Sequence, residues 1–498
     1  MKLYIDGDIS RYYVQTLCMI FFPGAKFPEN EEFLPGGDEV TVNLRSSEGT
    51  YDAEVIMRSG GKSCVGRRCE IRGGIDSDER LKKRAVGKAL YDAGSEMFGF
   101  SPDWGILTGV RPAKLAAELM RLAETDGYAD PAAEAERILM QDYCASAEKA
   151  KLLTTVARNE ERLIGSFGEN TCSVYISIPF CPTRCAYCSF VSYSTKRLLS
   201  LIPQYVERIC TDIERLGRTL SEIGQKPSTV YIGGGTPTIL DVSQIEIILR
   251  CIDRNIDLSG VREFTLEAGR PDTITPEKLI AAKSGGVSRI SINPQTTNDE
   301  ILKAIGRAHT SEEFLRAYES ADSVGFKCIN TDLIAGLPGE SYDSFVRSMD
   351  TVSALAPRNI TVHTFCVKKS AELHDNSSSY SRTGTDAGRA VAYSQLKANA
   401  DGYLPYYMYK QKNSVGSYEN VGFSKPGYEG LYNILIMDEV HSIFAAGAGA
   451  VTKLVSRSRS DIERLFMPKY PYEYLSGDAC AAYSDYESKV LDFYRNTY

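Results

Sequence analysis

The sequence predicts an α/β protein built around a partial (βα)6 barrel, with α+β segments before and after it. Apolar, β-rich runs alternate with helical patterns six times between about residues 173 and 363, which is typical of parallel βαβ units. Polar or metal-binding residues recur where these runs end, and barrel enzymes carry their chemistry at that rim. At 498 residues the chain also exceeds one ordinary core, so flanking domains are expected.

The six predicted strands are short and apolar, and a helical pattern follows each of the first five. The strands are predicted at Val174–Ile178, Ser228–Ile232, Glu263–Glu267, Ser288–Ile292, Lys327–Ile334 and Asn359–His363. The helical patterns lie at 199–216, 243–256, 276–283, 299–305, 311–321 and 342–355. This alternation predicts right-handed crossovers and a parallel sheet.

The chain divides into three predicted domains. Residues 1–168 form an N-terminal α+β domain, with a hairpin pattern near 40–55, helical patterns near 80–98 and 113–123, and no catalytic motif. Residues 169–400 form the barrel. Residues 401–498 are rich in tyrosine and are expected to cover a substrate. The role of the first domain does not follow from its sequence.

The composition indicates a globular protein of a reducing compartment. Hydrophobic residues make up 43% and charged residues 24% of the chain, as in ordinary soluble proteins. A net charge of −8 disfavours nucleic acid as the main partner. No run reaches the roughly 18 apolar residues of a membrane span, and the acidic start is not that of a signal peptide. Thirteen scattered cysteines indicate free thiols, so we expect a cytoplasmic protein.

The loop after the first predicted strand carries the strongest chemical signal. Cys181, Cys185 and Cys188 stand there in a C-x3-C-x2-C spacing. Three thiolates this close in the chain suit one soft metal centre: an iron–sulfur cluster, zinc or copper(I). A structural zinc site needs a fourth Cys or His; none follows nearby, and Cys172 precedes the strand. A cluster with one iron open to a small molecule is therefore favoured over zinc or three structural cysteines.

This loop resembles that of the radical S-adenosylmethionine (SAM) superfamily, whose hallmark is the same cysteine spacing. The resemblance implies a [4Fe–4S] cluster on Cys181, Cys185 and Cys188, with SAM chelated at the open iron. It also implies that the reduced cluster cleaves SAM to a 5′-deoxyadenosyl radical. The partial (βα)6 barrel is the fold of that family. An exposed cluster further suggests a low-oxygen setting.

A glycine triplet at the end of the second strand extends the resemblance. The run Gly233–Thr236 leaves backbone groups uncovered, so a carboxylate or an ammonium group can approach closely. Taken alone, such a run is equally typical of a plain turn. It resembles the family's GGGTP element, which implies that Gly234, Gly235 and Thr236 hold the amino-acid part of SAM.

Three further positions match the family's SAM contacts. Glu267 matches the glutamate that ends the third strand, and Tyr175 and Tyr187 match aromatic positions around the cysteine loop. Carboxylates at such a rim can bind ribose hydroxyls or an amine. The alternatives are a structural ion pair for the glutamate and ordinary packing for the two tyrosines.

Downstream motifs resemble the oxygen-independent coproporphyrinogen III dehydrogenase family. These are Asn293-Pro294-Gln295, Ile305-Gly306-Arg307 and the run Asn330–Gly339. The resemblance implies that Gln295, Arg307 and Asp332 contact a second SAM; the alternative is a hydrogen-bond network that closes the barrel. At the next contact position the family has Ala and this chain has Cys366. The family's best-known branch also has a fourth Cys where this chain has Phe190.

The tyrosine-rich region after residue 400 is the candidate substrate site. Aromatic faces can bury a flat macrocycle, and ammonium groups can pair with its propionates. Tyr406, Lys410 and Lys412 are predicted to do this, with a packed tyrosine-rich hairpin as the alternative. The string Pro405–Asn413 looks like the HemZ-type subgroup of the same enzyme family.

The sequence therefore predicts an oxygen-independent coproporphyrinogen III dehydrogenase. By resemblance, the enzyme decarboxylates two propionates to vinyl groups, giving protoporphyrinogen IX in haem biosynthesis. The expected partners are coproporphyrinogen III or a related tetrapyrrole and a flavodoxin or ferredoxin electron donor, with a monomeric chain. The alternatives are a haem-trafficking chaperone of the same family, whose H-N-x-x-Y-W string is not found here, and a radical SAM enzyme acting on haem or another tetrapyrrole. The sequence singles out no catalytic residue.

Overall fold

The computed structural model describes residues 1–28, 37–73, 76–188, 190, 192–366, 385–476 and 478–497. Within these ranges the chain forms two compact units. The first consists mainly of Met1–Arg158 together with Tyr409–Tyr418, and the second contains most of the remaining described residues. Residues of the predicted third domain are thus shared between the two units, because Tyr409–Tyr418 belongs to the first.

The N-terminal unit is an α+β structure with one four-stranded sheet. Its strands follow the order β1 (Lys2–Asp6), β2 (Glu39–Ser47), β3 (Thr50–Ser59) and β4 (Lys62–Ile71). β1 is parallel to β2, and the other pairs are antiparallel. Alternate residues of β2 are buried, as in a strand with one face on a core. Its helices are α1 (Arg11–Phe21), α2 (Asp78–Phe98), α3 (Pro112–Thr125), α4 (Pro131–Tyr143) and α5 (Ala147–Ile164).

A cavity of about 330 Å³ lies in this N-terminal unit. Arg80, Lys83 and Arg84 line it from one face of α2, opposite Tyr143. These cations are already engaged by carboxylates: for example, Arg84 Nη1 lies 2.8 Å from Asp76 Oδ2. The cavity therefore carries little uncompensated positive charge.

The second unit contains the predicted barrel. Its six parallel strands are β5 (Thr171–Ile178), β6 (Lys226–Gly234), β7 (Glu263–Glu267), β8 (Arg289–Ser291), β9 (Cys328–Ala335) and β10 (Asn359–Thr364). Each strand overlaps its predicted position. They lie side by side in chain order within an open sheet of eleven strands, so the predicted partial (βα)6 barrel is confirmed.

Helices connect these strands as the βαβ pattern requires. Several begin with a side-chain cap, such as the capping box of Asp241 and Gln244 that starts the second crossover helix. The helices are α6 (Lys196–Leu199), α7 (Ile202–Glu222), α8 (Val242–Asn255), α9 (Pro276–Ser284), α10 (Asp299–Ala304), α11 (Ser311–Val324) and α12 (Tyr342–Ala354). Apolar residues on one face of α7, including Val206, Ile209 and Ile213, are buried.

Strands that follow the barrel in the chain extend both edges of the sheet. β12 (Glu419–Ser424) is antiparallel to β10, and β13 (Ile443–Ala446) is parallel to β5. The remaining elements are α13 (Thr385–Ala400), β11 (Leu404–Lys410), α14 (Leu431–Asp438), β14 (Val451–Val455), β15 (Ile462–Phe466), α15 (Pro471–Leu475) and α16 (Asp478–Thr497). Among the described residues, no helix is long and apolar enough to cross a membrane.

Helix α14 seals the amino-terminal end of the barrel. Glu263, the first residue of β7, accepts hydrogen bonds from the N–H groups of Leu431 (2.8 Å) and Tyr432 (3.1 Å). A carboxylate at this end of a helix is also favoured by the helix dipole. Arg289, at the start of β8, pairs with Glu263 at 3.2 Å and donates to the carbonyl of Tyr428 at 2.7 Å.

Candidate active site at the carboxyl ends of the barrel strands

The cysteine loop, Cys181–Cys188, begins where β5 ends and is fixed at both of its sides. The N–H of Cys181 donates to the carbonyl of Tyr193 at 3.1 Å, and the N–H of Ala186 donates to the carbonyl of Ile305 at 3.0 Å. These backbone bonds hold the loop against two different crossover segments. Its position at the strand end is the one the sequence predicted.

Tyr205 anchors the strand end that carries the loop. Its hydroxyl donates to the carbonyl of Ser177 at 2.7 Å and accepts from the N–H of Ala448 at 2.9 Å. The side chain is fully buried and packs edge-on against Phe180. The glycine-rich segment 446–450 is thereby attached to the end of β5 that carries the loop.

The three loop thiols lie close enough to influence one another. Burial raises the pKa of Cys181 and of Cys188, and the neighbouring loop thiols raise both further. Cys181 Sγ also lies 3.3 Å from Thr236 Oγ1. Among the described residues, no three His, Cys, Asp or Glu side chains can share a single metal ion. A [4Fe–4S] cluster takes each thiolate on a different iron, and three neighbouring thiols on one loop fit that donor set.

The glycine triplet lets β6 approach the loop. A Cβ on Gly235 would lie 2.5 Å from the carbonyl oxygen of Phe180, and Gly234 has a φ of +112°. The N–H of Thr236 donates to that same carbonyl at 2.7 Å. The structure therefore places Gly234, Gly235 and Thr236 beside the cysteine loop, as their predicted role requires.

Glu267 lies at the end of β7 and next to the glycine triplet. The hydroxyl of Tyr231 and the N–H of Gly234 both donate to its carboxyl group. Burial raises the pKa of Glu267 to about 7, and the nearby Asp332 adds to this rise. Among the described residues, its hydrogen-bond partners are Tyr231 and Gly234 and not a cation, which does not match a structural ion pair.

Three tyrosines stack inside the barrel beneath Glu267. The ring of Tyr231 lies 4.5 Å from that of Tyr432 and 6.0 Å from that of Tyr175, both nearly parallel to it. Tyr175 and Tyr231 are directly paired on β5 and β6. Tyr432 comes from α14 at the sealed end. The predicted Tyr175 thus belongs to an aromatic stack that forms the floor of the site.

A polar network crosses β8, β9 and β10 at the same rim. Asn330 Nδ2 donates to Asp332 Oδ1 and to Ser291 Oγ, both at 2.8 Å. His363 Nε2 lies 3.7 Å from Asp332 Oδ2. The predicted Asp332 is therefore at the rim with a histidine beside it, although the sequence analysis assigned that histidine no function.

Gln295 is held in an uncommon backbone conformation. Its φ is +68°, while its N–H donates to the carbonyl of Asp332 and its carbonyl accepts from the N–H of Ile334, both at 2.9 Å. The side-chain Oε1 is buried with no hydrogen-bond partner among the described residues. Backbone strain and an unsatisfied acceptor at a rim are typical of a ligand contact.

Arg307 lies behind the cysteine loop. Its Nη1 donates to the carbonyl of Asn293 at 2.6 Å and its Nη2 to that of Gly269 at 3.1 Å. The guanidinium group also contacts Cys185 and the predicted Tyr187. Arg307 therefore contacts both the cysteine loop, at Cys185 and Tyr187, and the segment after β8, at Asn293.

Of the remaining predicted residues, three are buried and one is exposed. Tyr406 is fully buried and its hydroxyl donates to Asn359 Oδ1 at 3.2 Å. Lys410 is 8% exposed, and its Nζ donates to the carbonyl of Leu107 at 3.0 Å within the N-terminal unit. Lys412 is exposed, with its Nζ 4.4 Å from the ring centre of Tyr12, and Cys366 is buried. Contact of Tyr406 and Lys410 with a substrate stays a prediction. Both side chains are buried, which argues against such a contact.

Comparison with known proteins agrees with this geometry. A family model described as the radical SAM superfamily matches residues 175–352. The oxygen-independent coproporphyrinogen-III oxidase-like protein HemZ of Bacillus subtilis is 38% identical over 398 residues, covering 79% of this chain and 78% of HemZ. The chain belongs to this HemZ-like family of radical SAM proteins. Its cofactors are those of the family, a [4Fe–4S] cluster and SAM.

Two further relatives complete the comparison. The heme chaperone HemW of Bacillus subtilis is 31% identical over 281 residues, covering 56% of this chain and 70% of HemW. Coproporphyrinogen III oxidase (HemN) from Escherichia coli, described as a radical SAM enzyme, aligns with a TM-score of 0.47 at 20% identity, covering 59% of this chain and 67% of that chain. The chain is thus similar both to a protein named as oxidase-like and to a heme chaperone.

Sequence reasoning missed four residues that shape this site: Tyr205, Tyr231, Arg270 and His363. Period-two alternation was a usable signal for Tyr231, because it lies two residues before Gly233 and so shares the inward face of β6. His363 ends the sixth predicted strand, so its place at the rim could have been found in the same way as that of Glu267. No local pattern marks Tyr205 or Arg270, whose Nη1 lies 3.1 Å from Thr183 Oγ1 in the cysteine loop, since their roles depend on contacts between elements distant in the chain.

Proposed function

We propose that the protein is an oxygen-independent coproporphyrinogen III dehydrogenase. Its reaction converts two propionate side chains to vinyl groups and yields protoporphyrinogen IX. Each conversion removes one hydrogen atom from the propionate side chain, passes one electron to a one-electron acceptor and releases carbon dioxide. The observation that carries the proposal is the 38% identity to HemZ over 79% of the chain. When bound, the reduced cluster and SAM supply the 5′-deoxyadenosyl radical that takes the hydrogen atom.

The chain's own residues hold and orient these cofactors. Cys181, Cys185 and Cys188 bind the cluster. Gly234 and Gly235 offer backbone groups to the amino-acid part of SAM beside Thr236. This assignment is supported by the close contact of the glycine run with the cysteine loop.

Glu267 binds the ribose or amine of the same SAM. Its carboxyl group is half-buried and already surrounded by donors, so a ligand hydroxyl or ammonium group can replace one of them. The rings of Tyr175 and Tyr187 lie beside the SAM. The stack that Tyr175 forms with Tyr231 and Tyr432 helps to exclude water from the site.

Gln295, Arg307, Asp332 and Cys366 hold a second SAM. The unsatisfied Oε1 of Gln295 supports a ligand at that position. Asp332 supplies a carboxylate for a sulfonium or an amine, and Arg307 a cation for a carboxylate. An electron donor of the flavodoxin or ferredoxin type reduces the cluster.

A haem-trafficking chaperone is the second candidate, favoured by the 31% identity to HemW. Anaerobic incubation of the reconstituted protein with SAM, a reductant and coproporphyrinogen III separates the two functions. Mass spectrometry should show successive losses corresponding to two decarboxylations. Intact coproporphyrinogen together with stoichiometric haem binding, read by absorbance, would favour the chaperone.

A further inference from the structure

Arg270 is a buried guanidinium group directly behind the cysteine loop. It follows β7 in the chain, and only 3% of it is exposed. Its Nη1 lies 3.1 Å from Thr183 Oγ1 and 3.6 Å from Cys185 Sγ. Both partners belong to the cysteine loop, so Arg270 faces the cluster site from the protein side.

Asp272 fixes the orientation of this guanidinium group. Arg270 Nε donates to Asp272 Oδ1 at 3.0 Å, and Nη2 donates to Asp272 Oδ2 at 3.1 Å. This bidentate pairing uses the edge of the guanidinium that includes Nε and Nη2. It leaves Nη1 as the group that points at the loop.

The three thiols are consequently not equivalent. Cys185 faces the guanidinium groups of Arg270 and Arg307, whereas Cys181 faces the neutral hydroxyl of Thr236. Hydrogen bonds and positive charge at a cluster sulfur are known levers on the reduction potential. They stabilise the reduced cluster more than the oxidised one, because reduction adds a negative charge.

We propose that Arg270 is a positioning residue that raises the reduction potential of the cluster through its contact with Cys185. Asp272 holds the guanidinium group of Arg270 in place. Its carboxylate also compensates part of the guanidinium charge, and so it limits the rise in the reduction potential. The inference rests on the family's cluster and on Cys185 as one of its ligands. It does not depend on the tetrapyrrole substrate.

The test is a redox titration of the reconstituted full-length protein, followed by electron paramagnetic resonance without SAM or tetrapyrrole. Arg270→Gln should retain the iron content and visible absorbance of the parent but reduce at a more negative potential. At a fixed potential, the ratio of reduced to oxidised cluster should fall several-fold. The reduction potential of Arg270→Lys should lie between those of the parent and Arg270→Gln. Lysine keeps the positive charge but cannot make the bidentate hydrogen bonds of the guanidinium group.

Two further variants separate this effect from general damage. Asp272→Asn should shift the potential in the opposite direction, because the cation keeps its contacts with the loop and loses its counter-charge. Arg289→Gln is the matched control: it removes a buried ion pair at the sealed end of the barrel and should not shift the potential. Arg270→Gln titrating like the parent, or Arg289→Gln shifting as much, would overturn the proposal. If Arg270→Gln does not assemble a cluster, an unchanged potential in Asp272→Asn would also overturn it.

Discussion

Glu267 keeps its proton to a higher pH in the folded protein than in the unfolded chain. Burial raises its pKa to about 7, whereas an unfolded glutamate titrates at about 4.3. The folded state therefore binds the proton more tightly than the unfolded chain does. This tighter binding adds to the free energy of unfolding, and the full amount is present below pH 4. This contribution is lost as the pH rises through 7.

A Glu267→Gln variant should consequently show a flatter dependence of stability on pH. Since one pKa unit corresponds to about 1.4 kcal/mol, the contribution is at most about 4 kcal/mol. Melting temperatures of the SAM-free protein between pH 5 and pH 8 would measure it. Glu340→Gln is the matched control, because burial also raises the pKa of Glu340 to about 7. Both variants should flatten the profile, but only Glu267→Gln should weaken SAM binding; equal SAM affinity in both would contradict the role of Glu267.

Single cysteine substitutions test which thiols bind the cluster. Cys185→Ala should abolish the visible absorbance of the reconstituted protein and its cleavage of SAM, because one iron loses its thiolate. Cys172→Ala should keep both properties. Cys172 is equally buried but lies near the start of β5, at the opposite end of the strand from the loop. A cluster that survives the loss of Cys185 would refute the assignment.

At the scale of elements, the close approach of β6 to the cysteine loop depends on Gly235. A Cβ there would meet the Phe180 carbonyl at 2.5 Å, so Gly235→Ala must push the two segments apart. Overpacking of this kind costs about 1–3 kcal/mol. We expect weaker SAM binding by equilibrium dialysis and a lower melting temperature. Gly260→Ala is the control, since its nearest neighbour would be 3.6 Å away; equal SAM binding by both variants would contradict this account.

The sequence predicts those structural features that are marked by neighbouring residues in the chain. It does not predict features that depend on contacts between distant segments. All six barrel strands and the rim positions of Cys181, Glu267 and Asp332 follow from alternation and strand ends, which are local patterns. The break between α4 and α5 is instead not a local signal: Cys144 adopts a left-handed conformation there, with φ 57°, and no glycine or proline marks the position. The inward or outward direction of Tyr406 and Lys410 was not predictable either, because composition says nothing about which packed surface receives a side chain.

For the whole molecule, the first compact unit is not a continuous stretch of the chain. Residues Tyr409–Tyr418 belong to it, and the N–H of Lys410 donates to the carbonyl of Val110 at 2.7 Å. A fragment of residues 159–498 would leave this segment without that partner. We expect the fragment to melt at a lower temperature than the full chain and to aggregate more readily. A fragment that melts like the full chain would show that the segment folds independently.

The function proposed for this site is radical chemistry on a propionate side chain of coproporphyrinogen III. Isotope transfer tests it most directly. Coproporphyrinogen III deuterated in its propionate side chains would be incubated anaerobically with the reduced protein and SAM, and the 5′-deoxyadenosine would be analysed by mass spectrometry. The account predicts deuterium in the 5′-deoxyadenosine together with decarboxylated product. SAM cleavage that yields only unlabelled 5′-deoxyadenosine and intact coproporphyrinogen would contradict it.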